Sequence, residues 1–394
     1  MSNDSLLYWL WLSSAVTMRQ RSRAALLDTF GSPQKIYHAG PTGFSAVQGV
    51  FPKDAELLES KTLDDAKRIL EQCDNRGIDI ICPDDEDYPE RLKNIYSPPA
   101  VLYVKGKLPD IDSIPVVSVI GTRKASPYGI KMGRKIAFEI GSCGGTVVSL
   151  LTAGVDSAAA EGALLSGGKC IAVIGTSHDV HKSRFDQDIT ANGAIVSEYP
   201  PMSGSNRSFF RERNRIAAGI SLGVVVVEAP EKSGTKFFVD DALDQGKDIF
   251  AVPGNADSAN SEGTLSLLKL GARPVARGWD VMCEYETLFP ETVIMNETQL
   301  PFAEAPKNKP AVGPAGSGVV DKAKNVDYID WTEKLKDLTE EQKAIVIAVR
   351  EGAICTDDII SKTGLGAARV LAQMTLLEIK GILGKDAARH IVLK

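Results

Sequence analysis

The chain has 394 residues, more than one ordinary hydrophobic core serves, so two or three domains are expected. Its hydrophobic content of 43% is that of a soluble globular protein, and no apolar run approaches a membrane span. The net charge of −6 excludes indiscriminate coating of nucleic acid, but not a local basic groove, because charges act over roughly 8–10 Å at ordinary ionic strength. The apolar residues 8–12 are few, follow acidic Asp4 and precede no small-residue cleavage site, so the expectation is a cytoplasmic protein without a leader or membrane partner. Six scattered cysteines form no C-x-x-C pair, and His178 and His181, three apart with no cysteine nearby, read as loop residues. No metal or cofactor is expected.

In chain order, residues 1 to about 75 predict a small helical domain, SAM-like or helix-hairpin-helix-like. Trp9, Leu10, Leu12, Leu26, Leu27 and Phe30 are its apolar positions. Phe30-Gly31-Ser32-Pro33 reads as one helix end and the next start, and a further helix is predicted over 54–73. Arg19, Arg21 and Arg23 read as a solvated helix face. Residues 78–82 predict a short strand, and Asp84-Asp85-Glu86-Asp87, running into Tyr88-Pro89, reads as a surface turn and not as metal-binding carboxylates.

From Pro98 the pattern changes to β-rich runs at 101–104, 116–120, 146–151, 170–174, 194–196, 224–227 and 249–252, with helical segments between most of them. This alternation predicts an α/β fold with a doubly wound, mainly parallel, Rossmann-like sheet over 76–290. The best-defined stretch is 116–129: a strand ends at Gly121, a turn carries Arg123, Lys124 and Ser126, and Pro127 starts a helix. Its amino end points N–H groups at the turn, an arrangement suited to a phosphate. Three more loops are expected at the same edge. They contain residues 153–156, then Arg211, Arg213, Asn214 and Arg215, then Ser233, Gly234, Thr235 and Lys236. Phe209 and Phe210 beside the arginines are either platforms for bases or core anchors.

There is no G-x-x-x-x-G-K-[ST] and no G-x-G-x-x-G in the first strand-to-helix turn, and no base–nucleophile pair or metal cluster offers itself, so an enzyme is not expected.

These segments together resemble the DNA-processing protein A family, also called DprA or Smf. The residues that carry the resemblance are Pro98-Pro99-Ala100-Val101-Leu102-Tyr103, Gly121-Thr122-Arg123, Ser126-Pro127-Tyr128-Gly129, Ser197-Glu198-Tyr199-Pro200-Pro201, Arg213-Asn214-Arg215-Ile216, Val227-Glu228-Ala229, Ser233-Gly234-Thr235 and Val252-Pro253-Gly254. The resemblance implies a homodimeric single-stranded DNA-binding protein that protects incoming DNA during natural transformation and loads a RecA-type recombinase, in company with single-strand-binding protein. It makes Arg123 a phosphate-binding arginine and places 213–215 and 233–235 at the DNA pocket. The chain departs from the family's Ser-Gly-x-Ala-Arg-Gly-Ile-Asp. Ala153 stands at the arginine, Leu150 at the glycine, and Ala160 or Glu161 at a following histidine. Weaker DNA binding is expected, with Lys182 and Arg184 as substitutes.

Residues 291–330 read as a flexible linker, rich in Pro, Ala, Gly, Lys and Asn. Residues 331–394 resemble the family's winged-helix domain, with Thr339 as a helix cap whose acidic partner, Glu340 or Glu341, sits off the ideal position. Its recognition helix offers only Arg369 and Lys380, which favours a partner-docking or dimerising module over a duplex reader. Two other functions stay open. One is a Rossmann-like hydrolase of nucleoside monophosphates, although Phe238 stands where such a Gly-Thr-x-x-Glu motif has its glutamate. The other is a diverged member acting mainly through protein partners.

Overall fold

The computed structural model describes residues 3–59, 61–296, 338–350, 356–363, 365–379, 382–385 and 391–393. The chain divides into two compact units, 1–307 and 308–394.

The first unit begins with five helices: α1 (Asn3–Ser14), α2 (Gln20–Phe30), α3 (Pro33–Ser45), α4 (Pro52–Glu56) and α5 (Asp64–Arg76). Ser32 caps α3, accepting from the Lys35 amide at 3.3 Å, with Pro33 next in line. The single helix expected over 54–73 is two, because Asp64 and Asp65 favour a helix amino terminus of their own. The acidic stretch is a turn, as expected: the Cys82 amide donates to Asp85 at 2.8 Å and the Trp9 indole donates to Asp84 at 2.8 Å. The apolar faces of these helices, led by Leu10, Leu12, Leu26, Ile36 and Phe44, share one core with Ala100, Val101 and Tyr103 at the sheet's edge.

The remainder of this unit runs β1 (Asp79–Ile81), α6 (Glu90–Lys93), β2 (Leu102–Gly106), β3 (Val116–Ile120), α7 (Pro127–Ser142), β4 (Thr146–Ser149), α8 (Val155–Leu165), β5 (Cys170–Val173), α9 (Asp186–Ala191), β6 (Gly193–Ser197), α10 (Arg207–Glu212), α11 (Asn214–Ile220), β7 (Gly223–Val226), α12 (Thr235–Asp244), β8 (Asp248–Ala251), α13 (Glu262–Lys269), β9 (Arg273–Pro274) and α14 (Trp279–Met282). The strands form one sheet in the order β1-β2-β6-β5-β4-β3-β7-β8-β9. Pairing is parallel from β6 to β9 and antiparallel at β1 and β2. β3, β4, β5 and β7 are wholly buried, as a parallel sheet covered on both faces requires. One face packs on Ile136 and Val155 of α7 and α8, the other on Ile216 and Val239 of α11 and α12.

From β3 the chain winds outward through β4, β5 and β6, then returns to lay β7 against the other side of β3. The winding therefore reverses between β3 and β7, which is where sheets of this kind leave a crevice for a ligand. Of the expected linker, Val293 is buried and the Ile294 amide donates to the Cys143 carbonyl at 3.2 Å; residues 297–330 lie outside the described residues.

The second unit contains α15 (Glu340–Arg350), α16 (Thr356–Thr363), α17 (Ala367–Ile379) and an antiparallel hairpin of β10 (Leu383–Lys385) and β11 (Ile391–Leu393). Ile345, Ile359, Val370, Leu377 and Ile391 build its core. The partner of Thr339 is Gln342, not a glutamate. The Gln342 amide donates to the Thr339 hydroxyl at 3.4 Å and the Thr339 amide donates to the Gln342 side chain at 3.3 Å, a capping box with ideal spacing.

Candidate nucleic-acid interface

The turn after β3 lies at the winding reversal. Thr122 donates its amide to the Glu228 carbonyl at 2.8 Å, and Ser126 gives its amide (2.9 Å) and its hydroxyl (2.5 Å) to the Glu228 carboxylate. Ser126 also caps α7, accepting from the Gly129 amide at 3.1 Å. The sequence assigns the amino end of this helix to a bound phosphate. The structure fills that place with an internal carboxylate, so Ser126 faces inward. Gly121 serves the same packing: a Cβ there would lie 2.6 Å from Val155 and 2.9 Å from the Glu228 carbonyl. Arg123 and Lys124 are the residues of the turn that point to solvent.

Arg213, Asn214 and Arg215 are also corrected, because all three are buried. The Arg213 guanidinium donates to the carbonyls of Leu150 at 3.1 Å and Val173 at 2.8 Å, closing the ends of β4 and β5, and to the Asn214 side chain at 3.2 Å. Burial lowers its pKa to about 10, opposed by Asp156, so it stays charged at neutral pH. Arg215 is ion-paired with buried Glu198, which also faces Arg23 of α2 at 3.9 Å. Arg23 is therefore neither a solvated arginine nor a nucleic-acid contact. A strand end offers carbonyls that need donors, and a long guanidinium supplies them. The missed signal was Glu198, an acid directly after β6 with two arginines to satisfy.

At this edge, besides Arg211, which stacks on Phe237, six cations are exposed with no ion-pair partner among the described residues: Arg123, Lys124, Lys182, Arg207, Lys232 and Lys236. They stand on the loops and helix starts that follow β3, β5, β6 and β7, strands that with β4 span about 19 Å at roughly 4.8 Å per step. Arg184 is exposed but shares Glu161, at 3.5 Å, with Arg134, at 2.9 Å, and stacks on Phe185. Ser233 donates its hydroxyl to the Thr235 hydroxyl at 2.9 Å and accepts from the Thr235 amide at 3.2 Å, while Gly234 is exposed with open space above it. Thr235 itself is buried.

The two phenylalanines divide. Phe209 is buried and stacks on Tyr199 with ring centres 3.7 Å apart; Phe210 is exposed. No motif pointed to Phe237, also exposed, whose ring centre lies 4.1 Å from the Arg211 guanidinium carbon. Phe238, at the hydrolase glutamate's place, is buried. His178 bonds the Tyr103 carbonyl and His181 pairs with Asp186, and no group of three or more metal-capable side chains occurs among the described residues. No helix among them is long and apolar enough to cross a membrane.

A doubly wound sheet with a row of exposed cations along its carboxyl edge, joined in one chain to a winged-helix unit, defines a Rossmann-like α/β protein. Residues 79–286 match the family model described as DNA recombination-mediator protein A, and residues 332–384 match the DprA winged helix domain. The chain is 31% identical over 411 residues to Protein Smf of Synechocystis sp., covering 98% of each. It is 39% identical over 206 residues to DNA processing protein DprA of Streptococcus pneumoniae, covering 51% of this chain and 72% of the relative. The X-ray structure of DprA from S. pneumoniae superposes with a TM-score of 0.54 at 29% identity, covering 71% of this chain and 97% of that one. The chain belongs to the DprA/Smf family.

Proposed function

We propose that this protein is a non-enzymatic recombination mediator of the cytoplasm that binds single-stranded DNA along the carboxyl edge of its sheet, protects incoming DNA, and passes it to a RecA-type recombinase during natural transformation and recombination. The observation that carries the reading is the row of six exposed cations, without ion-pair partners among the described residues, on neighbouring loops. Each neutralises a phosphate and releases counterions, which at about 0.7 per phosphate gives a salt slope near −4 for six contacts on a single strand. Exposed Phe210 and the Arg211–Phe237 pair lie among these cations and offer flat surfaces to unstacked bases, which a duplex does not present. A homodimer and contact with single-strand-binding protein belong to the same proposal. So does a docking role for the winged-helix unit, where Arg369 of α17 is paired with Glu341 at 3.5 Å. The test is oligothymidylate binding, measured by fluorescence anisotropy, with Arg123→Glu and Lys236→Glu. Both variants should bind more weakly, and unchanged affinity in both removes the groove.

A second reading, in which partner binding has largely replaced DNA binding, draws on exposed Ala153 at the family's arginine position and on Glu161, which occupies two arginines. Firm association with a RecA-type recombinase together with negligible oligonucleotide binding would favour it.

A further inference from the structure

The crevice between β3 and β7 is where open α/β sheets ordinarily seat the phosphate of a free nucleotide. Here the protein's own chemistry fills it. Glu228 is 3% exposed, yet its carboxylate meets three donors: the Ser126 amide at 2.9 Å, the Ser126 hydroxyl at 2.5 Å and the Asn260 side-chain amide at 3.3 Å. Asn260 also holds the Lys124 carbonyl at 3.2 Å, so one acid and one amide fix the turn that displays Arg123 and Lys124. The start of α7 is shaped around this carboxylate, because a Cβ at Gly129 would overlap it. On the far side, the Tyr128 hydroxyl donates to the Pro253 carbonyl at 2.7 Å and closes the space between α7 and the loop after β8.

We propose that Glu228 is a specificity-determining residue: a built-in anion that occupies the phosphate position of the crevice and bars inorganic phosphate and mononucleotides from it. Its bonds are those a phosphate oxygen would make, donated by the same helix amino end and the same capping serine. A free phosphate must displace a buried, fully bonded carboxylate or approach it against like charge. A polymer held by side chains above the turn needs to do neither. The crevice is thereby removed from competition with the cellular pool of small phosphates, while the cations of its rim stay available. Exclusion of small phosphates stands or falls separately from DNA binding at the rim.

The experiment uses the full chain, with inorganic phosphate and thymidine monophosphate as probes at fixed ionic strength in chloride. Binding is followed by calorimetry and by the amide resonance of Ser126. Wild type should show no saturable binding and no Ser126 shift. Glu228→Ala, with folding checked by circular dichroism, vacates the position and should bring saturable phosphate binding at least about tenfold above the wild-type limit, since the occupying side chain is gone together with its like charge. Glu228→Gln refills the space without the charge and should stay closed. Saturable binding by wild type with a Ser126 shift overturns the proposal, and so does a folded Glu228→Ala that binds no phosphate. If the alanine variant does not fold, Glu228→Ser carries the same expectation, and the wild-type Ser126 resonance decides independently of either.

Discussion

Arg215 and Glu198 form an ion pair inside the protein, their side chains only 10% and 4% exposed. Arg23 lies 3.9 Å from the same carboxylate, so two cations converge on one buried acid between the helical segment and the sheet. Neither Nε–H group has an acceptor among the described residues, and a cavity of about 10 Å³, room for one water, is lined in part by Ser13, Arg23, Glu198 and Tyr199. Removing one partner of a buried pair costs about 3–5 kcal/mol, because the other charge stays behind unpaired. Glu198→Ala should lose that much or more in urea unfolding, having orphaned two guanidiniums. Arg215→Glu should fail to bind DNA for the same reason of stability, so weak binding by that variant is no measure of a groove. A Glu198→Ala protein as stable as wild type would show that the cluster contributes nothing.

The exposed cations predict the opposite separation of effects. Arg123→Ala and Lys124→Ala remove exposed side chains with no ion-pair partner among the described residues, so unfolding should shift by no more than about 0.5 kcal/mol. Oligonucleotide affinity should fall for every base composition alike, and the salt slope should become shallower by about 0.7 for each phosphate left without its cation. Binding titrations at several chloride concentrations measure both. A slope identical to wild type in both variants places the DNA elsewhere.

The Arg211–Phe237 pair and Phe210 predict a contribution that salt does not touch. Stacking one base on an aromatic or guanidinium platform is worth about 1–3 kcal/mol, and it requires the base itself. Phe237→Ala and Phe210→Ala should each weaken binding of oligothymidylate by up to that amount while leaving the salt slope intact. Neither should alter binding of an abasic oligonucleotide of equal length. Equal losses on both ligands would mean that the rings support the fold and do not contact bases.

Strands and loop positions were legible in the sequence because they follow from local pattern. β3 matches its expected span, and β4, β5, β7 and β8 fall within a residue or two of theirs, each being a short β-rich run, mostly apolar. What the pattern could not disclose was which charges face each other across long sequence distances. Ser126 and Glu228 are 102 residues apart, and Arg23 and Glu198 are 175 apart, yet these pairings decide that a helix amino end is filled and that Arg215 points inward. Basic residues in a row read as a groove only when their acids are out of reach. Arg213 shows a further limit, since its acceptors are main-chain carbonyls that no side-chain motif advertises. The exposed cations were partly legible for the same physical reason in reverse: the only acids near Arg123, Lys124, Lys232 and Lys236 in their own segments are Glu231 and, one helical turn after Lys236, Asp240.

Asp156 carries a prediction in pH. It is 2% exposed at the start of α8, its Oδ1 has no hydrogen-bond partner among the described residues, and burial pushes its carboxyl up to about 6 against the pull of the Thr152 hydroxyl, Arg213, the Gly121 amide and Arg123. In the unfolded chain the same group titrates near its ordinary value of 3.8. Between those two values the native state holds more protons than the unfolded state, so the group's contribution is fully present below about pH 4 and is lost as pH rises through about 6. That difference corresponds to ~3 kcal/mol. Asp156→Asn keeps the shape of the protonated acid and should abolish this component, so that the stability difference between variant and wild type grows in the variant's favour from pH 4 to pH 7. Urea titrations at half-unit intervals across that range measure it. Parallel curves would mean that Asp156 ionises in the folded protein as readily as in water. That result would require a solvating contact at Oδ1, and with it a different geometry beneath Arg123 from the one described.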